Sequence, residues 1–238
     1  MKTIEIPKNT ELICVTQNET STGIAIPMED IYTLKERYPN KLVAIDVVSS
    51  SPYAQIDFSK IDATFLSVQK GFGLPAGLAV LIVNDAVMQK AHHIKEKTGS
   101  KGGHHGIVTL HSDSLRKQTT ETPNILNIYL LGKVAEDMSN KGIATIRKET
   151  EEKADLLYDF FDNHPRYHPI APLYYRSKTV IVIDTKGETP KILKELEQHN
   201  IILGPGYGNN KDIEMRIANF PAHSVEQVKQ LIELLKNI

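Results

Sequence analysis

Lys70 closes an apolar run in the stretch "TFLSVQKGFGLPAGLAVLIV", and the chain after it breaks at once into Gly71, Gly73, Pro75 and Gly77 before a second apolar run begins at Leu78. A lysine beside glycines is ordinarily a solvent-facing charge at a turn. Held at the mouth of a cleft among groups that lower its pKa, the same amine is a nucleophile, and its usual partner is a carbonyl, giving a Schiff base. Pyridoxal phosphate is the foremost carbonyl of that kind. Its ring works as an electron sink only while the pyridine nitrogen stays protonated, which calls for a carboxylate against it. Asp46 ends the apolar run "LVAID". In a parallel sheet Asp46 and Lys70 would emerge at the same carboxyl edge, where ligands bind in α/β folds. An acid at a strand end is otherwise a helix cap or turn former. Arg216 interrupts the alternating run "IEMRIANF"; its plain reading is an edge-strand arginine on the solvent face.

Other residue groups carry less chemistry. His92-His93 and His104-His105 invite a metal reading, but neighbours on a helix point about 100° apart, and the second pair lacks a nearby set of carboxylates. No metal is expected. The run "GPGYG" at 204 to 208 lacks the strand-then-helix setting of a dinucleotide fingerprint and reads as a turn leading into the Arg216 strand.

The elements that must position Lys70 and Asp46 alternate short β-branched runs with helical stretches. That is the pattern of an α/β layer with a parallel or mixed sheet buried on both faces. Strands are predicted at Leu12–Thr16, Leu42–Asp46, Ala63–Val68 and Leu78–Val83. Between the first two, "MEDIYTLKERY" places Ile31, Leu34 and Tyr38 on one helical face, with acids leading and bases trailing as the helix dipole prefers. Asn84-Asp85 caps a helix through Lys97 that Gly99 stops, and "GSKGGHHG" follows as a loop. An irregular region runs to Thr122. Then come two amphipathic helices, Ile125–Asn140 with Ile128, Leu131, Ala135 and Met138 inward, and about Ile143–Asn163 with Thr150, Ala154, Leu157 and Phe161 inward. The remainder changes rhythm: "TVIVIDT", a helix capped by Thr189 with Pro190 in its first turn, the Arg216 strand, and a Ser224-x-x-Gln227 capping box make a small α+β unit. The division expected is residues 1 to 142 as part of a large domain, 143 to 166 as a linking helix, and 167 to 238 as a small C-terminal domain.

Composition excludes several classes. The 238 residues are 40% hydrophobic, and their 28 basic and 29 acidic side chains leave a formal net charge of -1. They form no basic stripe that would track nucleic acid. No run approaches the roughly 18 to 20 apolar residues that span a bilayer, and the N-terminus lacks a signal-peptide core. Cys14 is the single cysteine, which rules out an intrachain disulfide or a thiolate cluster and fits a reducing cytoplasm.

"SVQKGFGLPAGLAVLIV" resembles the cofactor-lysine segment of the class V aminotransferases, pyridoxal-phosphate enzymes of fold type I, and most closely their phosphoserine aminotransferase branch. "TQNETSTGIAIP" is similar to the family's Asn-Glu-Thr segment, and "AIDVVSS" to its Asp-x-Ser-Ser segment, in the same order. The resemblance implies a role for each position. Lys70 would bind the cofactor and shuttle the proton, Asp46 would pair with the pyridinium, Thr20 would hydrogen-bond the phenolic oxygen, and Gln69 would touch the phosphate. "QTTETPN" resembles the family's Asn-Thr-Pro segment, so Thr122 would reach a neighbouring subunit's cofactor phosphate across a homodimer. Glu121 replaces the asparagine there, and a carboxylate facing a phosphate is unfavourable unless it turns away. "EMRIANFPAH" resembles the Met-Arg-x-Ser/Ala segment, so Arg216 would clamp a substrate α-carboxylate through a bidentate pair.

The resemblance implies ping-pong transfer of an amino group from glutamate to a phosphorylated 2-oxo acid, 3-phosphohydroxypyruvate. Family members carry a further segment ahead of the Asn-Glu-Thr strand, with the glycine-rich phosphate loop and the aromatic that stacks on the ring. Its absence here implies a truncated form with an exposed apolar sheet edge and face. Two alternatives stay open: a non-catalytic remnant or interaction subunit of the same fold, and a related alanine- or serine-glyoxylate transaminase.

Overall fold

The computed structural model describes residues 4–100 and 102–238. Two four-stranded sheets, each with its own core, are joined by a long helix. The first sheet contains β1 (Leu12–Thr16), β4 (Leu42–Asp46), β5 (Ala63–Ser67) and β6 (Ala79–Val83) in the order β1-β4-β5-β6. The first three strands run parallel and β6 runs antiparallel to β5. A two-stranded hairpin, β2 (Asn18–Glu19) and β3 (Ile24–Ala25), leaves the end of β1 and leads into α1 (Met28–Arg37).

Residues in register across a sheet share a face. Ile13, Val15, Val43, Ile45 and Leu66 pack against Ile31 and Leu34 of α1, all buried, at about 1.5–3 kcal/mol for each fully buried aliphatic side chain. Asp62, just before β5, pins this layer. Its carboxylate accepts from Lys35 Nζ at 2.6 Å, from the Val43 amide at 2.7 Å and from Asn84 Nδ2 at 3.0 Å. One carboxylate therefore ties α1, β4 and the start of α2 (Asp85–Thr98) together.

The opposite face carries Leu12, Cys14, Phe65 and Leu81, all exposed. Burial on both faces, expected from the strand pattern, therefore holds for one face only among the described residues. The alternation of apolar residues shows which faces of a strand are apolar, but burial depends on what packs against them.

The second sheet is antiparallel, β7 (His168–Pro169), β8 (Val180–Asp184), β10 (Glu214–Ala218) and β9 (Gly204–Pro205), in the order β7-β8-β10-β9. Its core packs Ile181, Ile183, Met215 and Ile217 against α5 (Ile143–Asp162), α6 (Thr189–Gln198) and α7 (Val225–Leu235). On α5 the predicted inward residues Thr150, Ala154, Leu157 and Phe161 are all buried. The capping box opens α7, with Ser224 and Gln227 each bonding the other's backbone amide.

Three local expectations are corrected. The stretch before Thr122 contains a helix, α3 (Ile107–Leu115). On α4 (Ile125–Lys141) Ile128 and Ala135 are exposed, and the buried residue is Asn127, which donates to the Pro75 carbonyl at 3.0 Å. An apolar stripe predicts a helix but does not supply the surface that covers it. Thr189 is the first residue of α6, not its cap; Glu188 holds the cap position, and the Thr189 hydroxyl bonds that of Thr185 at 2.5 Å.

Candidate active site

The parallel register brings the strand ends together. Thr16 pairs with Asp46, and Asp46 with Phe65, two residues before β5 ends. The chain then turns tightly through Val68–Gly73, with the Gly73 amide donating to the Lys70 carbonyl at 2.9 Å and the Leu74 amide to the Val68 carbonyl at 3.1 Å. The two glycines after Lys70 have different reasons. A Cβ on Gly71 would lie 2.0 Å from the Ser51 carbonyl oxygen and 2.8 Å from Pro52 Cδ, so only glycine lets the lysine turn approach that segment. Gly73 has open space around it but a φ of +65°, which glycine adopts without strain.

Around this edge lies a cleft of about 550 Å³, lined among others by Asn18, Thr20, Asp46, Ser49, Lys70 and Tyr207. Asp46 accepts the Val48 amide at 2.8 Å, which fixes its carboxylate at the strand end. Lys70 Nζ reaches Thr20 Oγ1 at 3.5 Å, the outer limit of a hydrogen bond. The Thr20 hydroxyl also bonds that of Ser49. Amine, carboxylate and hydroxyl, drawn from three separate segments, thus face one space.

The second sheet borders the same cleft through the β2–β3 hairpin. Asn18 Nδ2 donates to the Ser49 carbonyl at 3.1 Å and to Thr179 Oγ1 at 3.0 Å, and Thr179 Oγ1 donates to the same carbonyl at 2.5 Å. All three residues are buried. Gly23 at the hairpin tip, with φ +66°, lies so close to β8 that a Cβ would sit 2.9 Å from Val182 Cγ2. Val182 is opposite Arg216 in the β8–β10 register. The hairpin carrying Thr20 therefore packs against the face of the second sheet from which Arg216 projects. Arg216 lies 4.0 Å from the centroid of the Tyr207 ring, and Tyr207 lines the cleft.

Not every predicted residue is at this cleft. Gln69 is exposed on the turn, and Thr122 is exposed on the loop before α4. Glu121 beside it turns toward His105, at 4.0 Å. Sequence reading missed Asn18, Ser49 and Tyr207. Asn18 and Ser49 lie inside segments already singled out for other residues, and their only signal was proximity to Thr20 and Asp46. Tyr207 sat in a run read as a turn; Gly204 and Pro205 of that run form β9. Among the described residues, no group of three or more His, Cys, Asp or Glu side chains could hold a metal, and no helix is long and apolar enough to cross a membrane.

The model of the class-V aminotransferase family matches residues 2–217. The chain belongs to the class-V aminotransferases. A putative phosphoserine aminotransferase of Mycobacterium leprae is 27% identical over 231 residues, which cover 94% of this chain and 59% of that protein. A crystal structure of a phosphoserine aminotransferase from Cytophaga hutchinsonii superposes with a TM-score of 0.96 at 44% identity, covering 99% of this chain and 66% of that one. An alanine–glyoxylate aminotransferase from Nostoc sp. shares the fold, with a TM-score of 0.80 at 20% identity over 95% of this chain and 61% of that one. This class-V chain thus spans about three fifths of the length of the curated relatives it matches. Its α/β architecture, a mostly parallel sheet followed by a smaller α+β unit, is that of these neighbours.

Proposed function

We propose that this chain carries the cofactor lysine and the substrate-carboxylate arginine of a pyridoxal-phosphate-dependent aminotransferase. The amino group passes from glutamate to a phosphorylated 2-oxo acid, 3-phosphohydroxypyruvate. One observation carries the reading: Lys70, Asp46 and Thr20, from three separate segments, line one cleft. Those residues fit the group, since the cleft offers an amine for a carbonyl, a carboxylate for a pyridinium and a hydroxyl for a phenolic oxygen. When bound, pyridoxal phosphate supplies the electron sink that stabilises negative charge at the substrate Cα.

The residues of the chain do the rest. Lys70 Nζ holds the cofactor and afterwards moves the proton to and from the substrate carbon. Asp46, kept at its strand end by the Val48 amide, holds a proton on the ring nitrogen by charge. Thr20, bonded to Ser49, orients the ring, and Gln69 at the turn meets the phosphate. Arg216 receives the substrate carboxylate from the second sheet, which lets two separately built halves grip opposite ends of one small molecule. Thr122, exposed before α4, contacts the cofactor of a neighbouring copy in a homodimer, and the compartment is the cytoplasm. The units acting here are residues 1 to 142, the linking helix at 143 to 166 and residues 167 to 238. The phosphorylated acceptor is supported by the likeness to phosphoserine aminotransferases, above all at 44% identity.

The test is a visible spectrum of the protein with pyridoxal phosphate before and after borohydride, with the modified peptide mapped by mass spectrometry. The expected result is a reducible band and a label on Lys70, both lost in Lys70→Ala. A label spread over surface lysines, unchanged in Lys70→Ala, would refute the assignment.

A further inference from the structure

The run "GPGYG" at residues 204 to 208 has no part in the chemistry assigned so far, yet its first four residues each have a defined relation to Arg216 or to its strand. Gly204 is opposite Arg216 in the β9–β10 register. A Cβ there would lie 3.2 Å from Arg216 Nη2 and 3.5 Å from Cζ, so a side chain at 204 would press on the guanidinium. The Pro205 carbonyl accepts from Arg216 Nε at 2.7 Å. Gly206 donates its amide to the Glu214 carbonyl at 2.7 Å, and a Cβ on it would lie 2.4 Å from the Asn210 carbonyl oxygen. Tyr207 sets its ring 4.0 Å from the guanidinium carbon. Gly208 takes a φ of +55° and turns the chain away.

We infer that residues 204–208 form a seat for Arg216, and that Tyr207 is a positioning residue which sets the plane in which the guanidinium meets a substrate carboxylate in the Lys70 cleft. The inference rests on the proposed role of Arg216 as carboxylate receptor and deepens it. An arginine has five N–H donors in a fixed fork. With Nε committed to Pro205 and one face stacked on the ring, the donors left are those on the two Nη atoms, the pair that matches the two oxygens of a carboxylate. A long side chain free in solvent loses rotamer entropy on binding; one already held by a carbonyl and an aromatic face loses less. Tyr207 also lines the cleft that Lys70 and Asp46 share. Its ring is the wall common to the arginine and the cofactor side, so it orients the acid's carboxylate relative to the amine. The side chain is 52% exposed, which makes it replaceable without opening either core.

The experiment titrates 2-oxoglutarate into the ¹⁵N-labelled 238-residue protein loaded with pyridoxal phosphate and follows the arginine Nε–H resonances, that of Arg216 being assigned by its loss in Arg216→Lys. Borohydride labelling of Lys70 is measured on every variant. We expect Tyr207→Leu to weaken binding about fivefold, the loss of one partly exposed cation–π contact, Tyr207→Phe to restore it, and Lys70 labelling to be the same in all variants. Wild-type affinity in Tyr207→Leu, with Arg216→Lys weakened, overturns the seat and leaves Arg216 as receptor. Unchanged affinity in Arg216→Lys, or no binding by the wild type, removes the reading of Arg216 and the seat with it. A fall in Lys70 labelling in Tyr207→Leu would mean that the residue supports the fold of the cleft generally, which also overturns the inference.

Discussion

Gly71→Ala tests whether the lysine turn is held where the structure puts it. The added Cβ would sit 2.0 Å from the Ser51 carbonyl oxygen, with Pro52 Cδ at 2.8 Å and the Ser51 carbonyl carbon at 2.9 Å. Real Cβ atoms essentially never come within 3.0 Å of such a neighbour, so the turn and the Ser49–Pro52 segment must separate by about 1 Å, and overpacking of this kind costs about 1–3 kcal/mol. The same displacement breaks the Lys70–Thr20 contact, already at 3.5 Å, because Thr20 is bonded to Ser49 on the segment that has to move. Gly73→Ala is the matched control: no atom lies within 4 Å of its Cβ, and only the φ of +65° is strained, at about 1–2 kcal/mol. Urea denaturation measures the stability term, and the rate of borohydride-trapped labelling at Lys70 measures the placement term. Both variants should be destabilised, but only Gly71→Ala should lose most of the labelling. If Gly71→Ala unfolds within about 0.5 kcal/mol of the wild type, the scatter of a neutral surface change, and labels at the same rate, then crowding against Ser51 does not position the lysine.

Thr179→Val keeps the shape of a buried side chain while removing its hydroxyl bonds to Asn18, the Ser49 carbonyl and the Ser177 hydroxyl. Ser49 keeps its bond from Asn18, but the second Nδ2–H of buried Asn18 and the buried Ser177 hydroxyl lose their acceptor, so the loss should be about 2–4 kcal/mol, read as a shift in denaturation midpoint at constant m-value; a shift below about 0.5 kcal/mol would refute a role for these bonds in holding the two sheets together. Asp62→Asn should cost about 2–4 kcal/mol, because it leaves the largely sheltered Lys35 ammonium without its counter-charge, with only the Lys41 carbonyl to bond. Burial pushes the Asp62 carboxyl upward, but the bonds from Lys35, Val43 and Asn84 outweigh it and hold its pKa below the usual value. A depressed folded-state pKa means the stabilisation is present above the unfolded value of about 3.9 and is lost as pH falls through the folded one. The wild type should therefore lose stability on acidification more steeply than Asp62→Asn, and equal slopes in acid denaturation would contradict the account.

Strand existence was legible along the chain because a β-branched run bounded by turn residues has few other solutions. The edges of β1 and β4 match the runs predicted for them, β5 and β6 differ by one residue each, and β10 (Glu214–Ala218) lies inside the alternating run at 213 to 220. Local chemistry was equally readable: Asn84 caps α2 through the Val87 amide, Gly99 ends it with φ +68°, and Ser224 with Gln227 closes the capping box. These are contacts within a few residues, so their geometry follows from spacing alone. The amine and the carboxylate could be paired from sequence too, since parallel strands deliver their carboxyl ends to one edge.

What tertiary structure decided lies between segments far apart in the chain. That Thr179 and Asn18, 161 residues apart, would share the Ser49 carbonyl depends on how two separately built cores meet, and no periodicity encodes that. The same holds for Gly71, whose need to be glycine comes from Ser51, and for Tyr207, which reads as part of a turn until the strand beside it brings Arg216 under its ring. The exposed Leu12, Phe65 and Leu81 face makes the point from the other side. Alternation reports that a face is apolar, whereas burial is a property of what packs on it. A chain of this sequence determines its strands, its caps and the kinds of groups it can bring to chemistry; distances between those groups are set only when loops close and two sheets come together.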